Sequence, residues 1–84
     1  MTKLVYFAWV RERIGFSEET VELPDDIQTG ADFINWMKTR GENFEHALEY
    51  SDQIRIAVNQ EHIHHSEKIG SADEIALFPP MTGG

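Results

Sequence analysis

The sequence predicts an α+β fold in which a mixed β-sheet carries one main helix across one of its faces. Three observations lead there. Both ends of the 84-residue chain are apolar runs of strand length, rich in β-branched and aromatic residues. Between them, one long stripe of apolar residues recurs with the 3.6-residue period of a helix. A chain this short also buries only about 60% of its unfolded surface, which suffices for a single domain with a single thin core.

The elements follow in order. Residues 3–10 alternate Leu4, Tyr6 and Ala8 with Val5, Phe7 and Trp9, so a strand through them has two apolar faces. Residues 10–14 (VRERI) fit one helical turn, and Gly15 tolerates the left-handed exit from it. In residues 19–23, Val21 and Leu23 point inward and Glu22 outward. Pro24 and Asp25-Asp26 then stop this strand, which is expected to return antiparallel to the first. Thr29 is placed as a helix N-cap with Asp32 three residues on. Phe33, Ile34 and Met37 recur behind it at helical spacing, with Trp36 at the edge of the stripe and Gly41 as its stop. Phe44, Ala47 and Leu48 make a shorter helical stripe. Ile54, Ile56 and Val58 alternate with Arg55 and Ala57 as a third strand, Asn59-Gln60 turns the chain, and residues 62–64 form a short strand. After a loop at 70–73, residues 74–78 form the last strand, with Ile75 and Leu77 on one face and Ala76 and Phe78 on the other.

One helix covers only one face of a sheet, and apolar terminal strands belong at its centre, because exposed apolar edges invite aggregation. The compact solution is a β-grasp sheet whose first and last strands are parallel central neighbours, giving a domain at 1–78 and an extended tail at 79–84. If Leu4, Tyr6, Ile75 and Leu77 face the helix, then Val5, Phe7, Trp9 and Phe78 face away, where this chain has no second layer. A partner protein is expected on that side.

Charge and composition exclude other classes. With 15 acidic against 7 basic side chains and a formal net charge of −8, the chain lacks the basic footprint for nucleic acid or for anionic membrane, and neither is expected as a partner. A protein with a basic surface is the natural one. The absence of cysteine removes disulfides, thiolate nucleophiles and cysteine-based metal sites. Arg11, Glu12 and Arg13 interrupt the N-terminal apolar run, so no signal peptide or membrane span is expected and the protein is read as cytoplasmic. His62, His64 and His65 form an H-x-H-H cluster, yet a third ligand beside His62 and His64 is not apparent, and no metal site is expected. The neighbouring acids Glu18-Glu19, Asp25-Asp26 and Asp73-Glu74 are expected at solvated or turn positions, since strand neighbours point to opposite faces. No nucleotide-binding or hydrolase motif is present, which argues against a self-contained enzyme.

The chemistry lies in the last ten residues, IALFPPMTGG, which carry no charge. Pro79-Pro80 ends the sheet and favours polyproline geometry, so residues 79–84 can reach on the order of 20 Å beyond it. Two glycines without Cβ let a backbone thread a narrow tunnel, and a terminal glycine presents an unhindered carboxylate. Such a carboxylate can be activated as an acyl adenylate and then accept a nucleophile, leaving an ester, an isopeptide or a thiocarboxylate. The chain would be substrate or carrier, with ATP and the catalytic groups on a partner; no cofactor of its own is expected.

The start KLVYFAWVRERIG, the VNQ turn at 58–60 and above all the ending DEIALFPPMTGG resemble the small subunit of molybdopterin synthase, a sulfur carrier with the ubiquitin-like β-grasp fold. The resemblance spans essentially the whole chain. A bare Gly-Gly ending would also fit the thiazole-pathway sulfur carrier or a ubiquitin-like protein-binding or tagging module. The resemblance implies that Gly84 is adenylated by a ubiquitin-activating-like enzyme and converted to a thiocarboxylate by way of a sulfur donor protein. It is then delivered into the large synthase subunit, where it supplies sulfur for the dithiolene made from cyclic pyranopterin monophosphate. It further implies that Phe7 and Phe78 lie on the partner-facing sheet surface and that Pro79, Pro80, Met81, Thr82, Gly83 and Gly84 enter the partner's active site on a flexible tail. Arg11 matches the family's basic residue after the first strand and is expected to pair with Glu12, Glu49 or an acidic group of the partner. His62 departs from the family pattern, which has an apolar contact residue there.

Overall fold

The first strand stops sooner than its alternation predicts. The computed structural model describes residues 1–80, and in it strand β1 spans Thr2–Tyr6, with helix α1 following at Ala8–Ile14. Phe7 is the extended residue between them, and Ala8 takes a positive φ of 52°, a conformation that breaks the strand and costs a residue with a Cβ about 1 kcal/mol or more. Ala8, Trp9 and Val10 are therefore helical. Trp9, expected on the outward strand face, instead packs half-buried against the core, with the Arg13 guanidinium 4.7 Å over its ring. Gly15 closes α1 at φ 106°, as its position predicted.

Strand β2 (Glu18–Val21) runs antiparallel to β1, shorter than expected because Leu23 lies beyond the ladder. Helix α2 (Gly30–Lys38) begins with the full capping box: the Asp32 amide donates to Thr29 Oγ1 (3.2 Å) and the Thr29 amide to Asp32 Oδ2 (3.1 Å). These backbone donors, Thr29 first and Gln28 next, hold the Asp32 carboxyl below its usual range. Gly30 sits where a Cβ would lie 2.8 Å from Ile56 Cδ1 and 3.2 Å from His65 Cα, so the helix start lies hard against the sheet. Gly41 does not end α2, which finishes at Lys38; it precedes α3 (Glu42–Ala47) as that helix's N-cap. Strands β3 (Arg55–Val58), β4 (Glu61–Ile63) and β5 (Glu74–Phe78) complete a five-stranded sheet of order β2-β1-β5-β3-β4. β1 and β5 are parallel neighbours, as the apolar chain ends predicted; β3 pairs antiparallel with both β5 and β4.

The core lies on one face only. Leu4 and Tyr6 of β1, Ile75 and Leu77 of β5 and Ile56 of β3 meet Phe33, Ile34 and Met37 of α2 and Val10 and Ile14 of α1 in a single cluster. At its border Arg40 forms a two-pronged bond to Glu19, Nη1 to Oε2 at 2.7 Å and Nη2 to Oε1 at 2.8 Å, and the Tyr6 hydroxyl donates to the same carboxylate. The Arg40 guanidinium also lies 4.5 Å over the Phe44 ring. Glu19 is thus not solvated: its side chain is 19% exposed and that of Arg40 21%. The guanidinium, and after it the Tyr6 hydroxyl, hold Glu19 below the usual carboxylate range against the opposing effect of burial. Burial, reinforced by Glu19, pushes the Tyr6 phenol far above its own range. Arg13 rather than Arg11 reaches toward Glu49, at 4.0 Å. No helix of the described residues is long and apolar enough to cross a membrane.

The β3–β4 hairpin turns on Asn59 (φ 49°) and Gln60 (φ 71°), the two left-handed residues that a twisted two-residue hairpin requires and that Asn tolerates well. Asn59 Oδ1 accepts from the amides of Asp73 (3.0 Å) and Glu74 (3.1 Å), fastening the turn to the start of β5. Replacing Asn59 by Ala should cost about 2 kcal/mol, combining the lost bonds with left-handed strain, while Asn59→Gly should cost about 1 kcal/mol because only the bonds are lost; urea denaturation of the two variants measures the order. Glu19→Gln should destabilise by about 2 kcal/mol at neutral pH, between the values for exposed and fully buried ion pairs. A carboxyl held below its unfolded value contributes its stability above that value, about 4.3, and loses it as pH falls through the folded one. The gap between wild type and Glu19→Gln should therefore close as denaturation is repeated at successively lower pH below about 4.

Candidate functional site: the uncovered face of the sheet

Strand alternation sends a second set of side chains to the side away from α2. The register lines up Val5, Ala76, Ala57 and His62 across β1, β5, β3 and β4 in one row, and pairs Phe78 with Arg55 in the next. Phe7 continues the alternation of β1, buried Tyr6 giving way to a 46% exposed Phe7, and its amide donates to Leu77 O (3.1 Å), which fixes it beside the end of β5. None of these residues belongs to the core cluster, although Ala57 and Ala76 are buried. The two alanines make a low floor, Val5 and Phe78 are half-buried, and the His62 ring tilts against Phe78 with centroids 5.0 Å apart. The face is thus apolar and aromatic at its centre, with charge at its margins: Lys3 and Glu18 pair at 2.9 Å on one side and Arg55 stands on the other.

Phe7 follows β1 as an extended residue, and by strand alternation it and Phe78 fall on the side away from α2; β5 ends at Phe78, with Pro79 and Pro80 following outside any strand. Met81, Thr82, Gly83 and Gly84, also expected in the site, lie outside the described residues. Of the three clustered histidines, His62 and His64 line one groove, whereas His65 turns away, its Nε2 2.7 Å from Ile54 O. Among the described residues no three His, Asp or Glu side chains are grouped to hold a metal ion. Arg55 also falls on this face, two residues from Ala57; strand alternation in the sequence marks it only as a spacer between Ile54 and Ile56.

A mixed sheet of this order, with a helix across one face and the other bare, is the ubiquitin-like β-grasp architecture. The ThiS family model matches residues 4–84, and the chain belongs to the ThiS family. Curated relatives named molybdopterin synthase sulfur carrier subunit include those of Dictyostelium discoideum, 39% identical over 98% of this chain and 94% of the relative, and of Haemophilus influenzae, 33% identical over the full length of both. Among solved structures, a putative molybdopterin converting factor subunit 1 from Pyrococcus furiosus superposes with a TM-score of 0.71 at 31% identity, covering 95% of this chain and 97% of that one. Small archaeal modifier protein 1 of Haloferax volcanii superposes with a TM-score of 0.69 at 26% identity, covering 95% and 97%.

Phe78 and Leu77 are adjacent on opposite faces and give a direct test of the division. Leu77→Ala, which opens a cavity in the core, should cost about 3 kcal/mol, and Phe78→Ala, on an open face, about 1 kcal/mol. Chemical denaturation of both variants checks the difference.

Proposed function

We propose that this chain is the sulfur-carrier subunit of a molybdopterin synthase, working in the cytoplasm without a cofactor of its own. The observation that carries the reading is where β5 sits: the strand that leads to the glycines is central in the sheet and ends beside Phe7 and Phe78, so a partner covering the bare face receives the tail at the same time. The names of the relatives and the FPPMTGG ending support it.

In this reading residues 1–78 are the docking domain and 79–84 the reactive tail. A ubiquitin-activating-like enzyme binds the bare face, and the Gly84 carboxylate attacks the α-phosphorus of ATP, releasing pyrophosphate. Hydrosulfide, supplied by way of a donor protein, attacks the acyl carbon, displaces AMP with loss of a proton and leaves the thiocarboxylate. The large synthase subunit takes the place of the activating enzyme on Phe7 and Phe78 and admits residues 79–84; each thiocarboxylate gives up one sulfur to cyclic pyranopterin monophosphate, water restores the Gly84 carboxylate, and a second charged chain supplies the other sulfur of the dithiolene. ATP belongs to the activating enzyme throughout. The chain supplies an unhindered acyl group and a surface that two partners occupy in turn.

A second reading, a protein-tagging module, is favoured by the likeness to the small archaeal modifier protein; there the activated Gly84 would end in an isopeptide to a lysine. Intact mass of the protein from its native host separates the two, as exchange of one oxygen for sulfur in the first case and as adducts with other proteins in the second. Deleting Gly84, six positions after the end of β5, should leave the unfolding free energy within about 0.5 kcal/mol of wild type and abolish sulfur transfer in a reconstituted synthase. Retained dithiolene formation by the deletion variant would refute the carrier role.

A further inference from the structure

Beside β4 one arginine and two histidines gather in a molecule whose formal net charge is −8 with histidine neutral. A groove of about 260 Å³ is lined by Arg55, Ile56, His62, Ile63, His64 and Phe78, and a second groove of about 230 Å³ adjoins it, sharing Arg55, Ile63 and His64. Arg55 forms no ion pair within 4.0 Å among the described residues. One guanidinium and two imidazoles therefore border an apolar floor with the Phe78 ring, at the margin of the bare face and next to the strand that leads to the tail. The neighbouring charged groups are few. Asp52 lines the adjoining groove; Glu61 precedes His62 and, by alternation, belongs to the opposite face; His65 is engaged with Ile54 O; Glu74 stands at the far end of β5.

We propose that this groove accepts a carboxylate side chain of the protein that covers the bare face, and that assembly consequently tightens as pH falls. The inference rests on the proposed carrier function, which puts a partner on this face, and adds the partner's chemistry at one place. Charge complementarity selects an acid. A basic side chain would meet Arg55 with like charge, and an apolar one would desolvate the guanidinium without return. Histidine is the side chain whose charge changes across the physiological pH range, so His62 and His64 make the attraction adjustable while Arg55 keeps it constant. Docking around the Phe78 ring excludes water and strengthens the pairing.

Affinity for the large synthase subunit, measured by calorimetry between about pH 6 and 8, tests the inference. Wild type should bind roughly fivefold more tightly at the lower pH. The double variant His62→Gln, His64→Gln should still bind but lose that dependence, and Arg55→Gln should bind more weakly at both pH values with a shallower salt dependence. These side chains border an open groove, and matching denaturation curves for all variants will show that the fold is retained. Wild-type binding that is flat or weakens toward low pH, or a double variant with an unchanged profile, overturns the acidic contact alone. No wild-type binding at any pH overturns the carrier reading and this inference with it.

Discussion

The parallel pairing of β1 with β5 is the constraint from which the rest of the molecule follows. It joins the two ends of the chain, and the entropy of closing so long a loop must be recovered from contacts that form only once both strands are in place. Apolar side chains on β1 and β5 recover it: Leu4 lies opposite Ile75 and Tyr6 opposite Leu77, all buried beneath α2. Once these two strands are central, β2 and β3 can add only at their outer sides, and β4 only beyond β3. The segment between β2 and β3 must cross the sheet as helix. Only one face can be covered in this length, so the other stays bare.

That bare face has a small centre and a large rim. Ala76 and Ala57 keep the floor low, while Phe7, Phe78 and His62 rise around it. Such relief suits a partner side chain entering the middle, with aromatic rings gripping its flanks, more than it suits a flat sheet stacking on top. Membership of the ThiS family agrees with the sheet order and the single covered face.

Much of this was legible in the sequence, because the decisive patterns are local. Alternation in residues 74–78 assigns Leu77 and Phe78 to opposite faces, Thr29 and Asp32 mark the start of α2, and Gly15 marks the end of α1. What was not legible depends on backbone geometry or on distance along the chain. Nothing in the composition of residues 3–10 reveals that Ala8 adopts a positive φ, so alternation alone extends the strand four residues too far and puts Trp9 on the wrong surface. Gly41 is as good a helix stop as a helix start, and tertiary packing chose the latter. The Glu19–Arg40 pair joins residues that sequence leaves unrelated, and the adjacent Glu18 at the surface disguises it. At the candidate site, the aromatics were found because they are conspicuous, whereas Arg55 was hidden by the ordinary expectation that alternate strand residues face solvent.

The central placement of β5 has a mechanical consequence. A pull on the chain beyond Phe78, with the body of the domain held by its bare face, loads β5 along its own axis between a parallel and an antiparallel neighbour. Both ladders are then sheared, and their hydrogen bonds share the load instead of parting one at a time as an edge strand would when peeled. Under the proposed carrier role, a domain that led to its reactive end from an edge strand would risk unravelling whenever that end was pulled; a central strand resists such a pull.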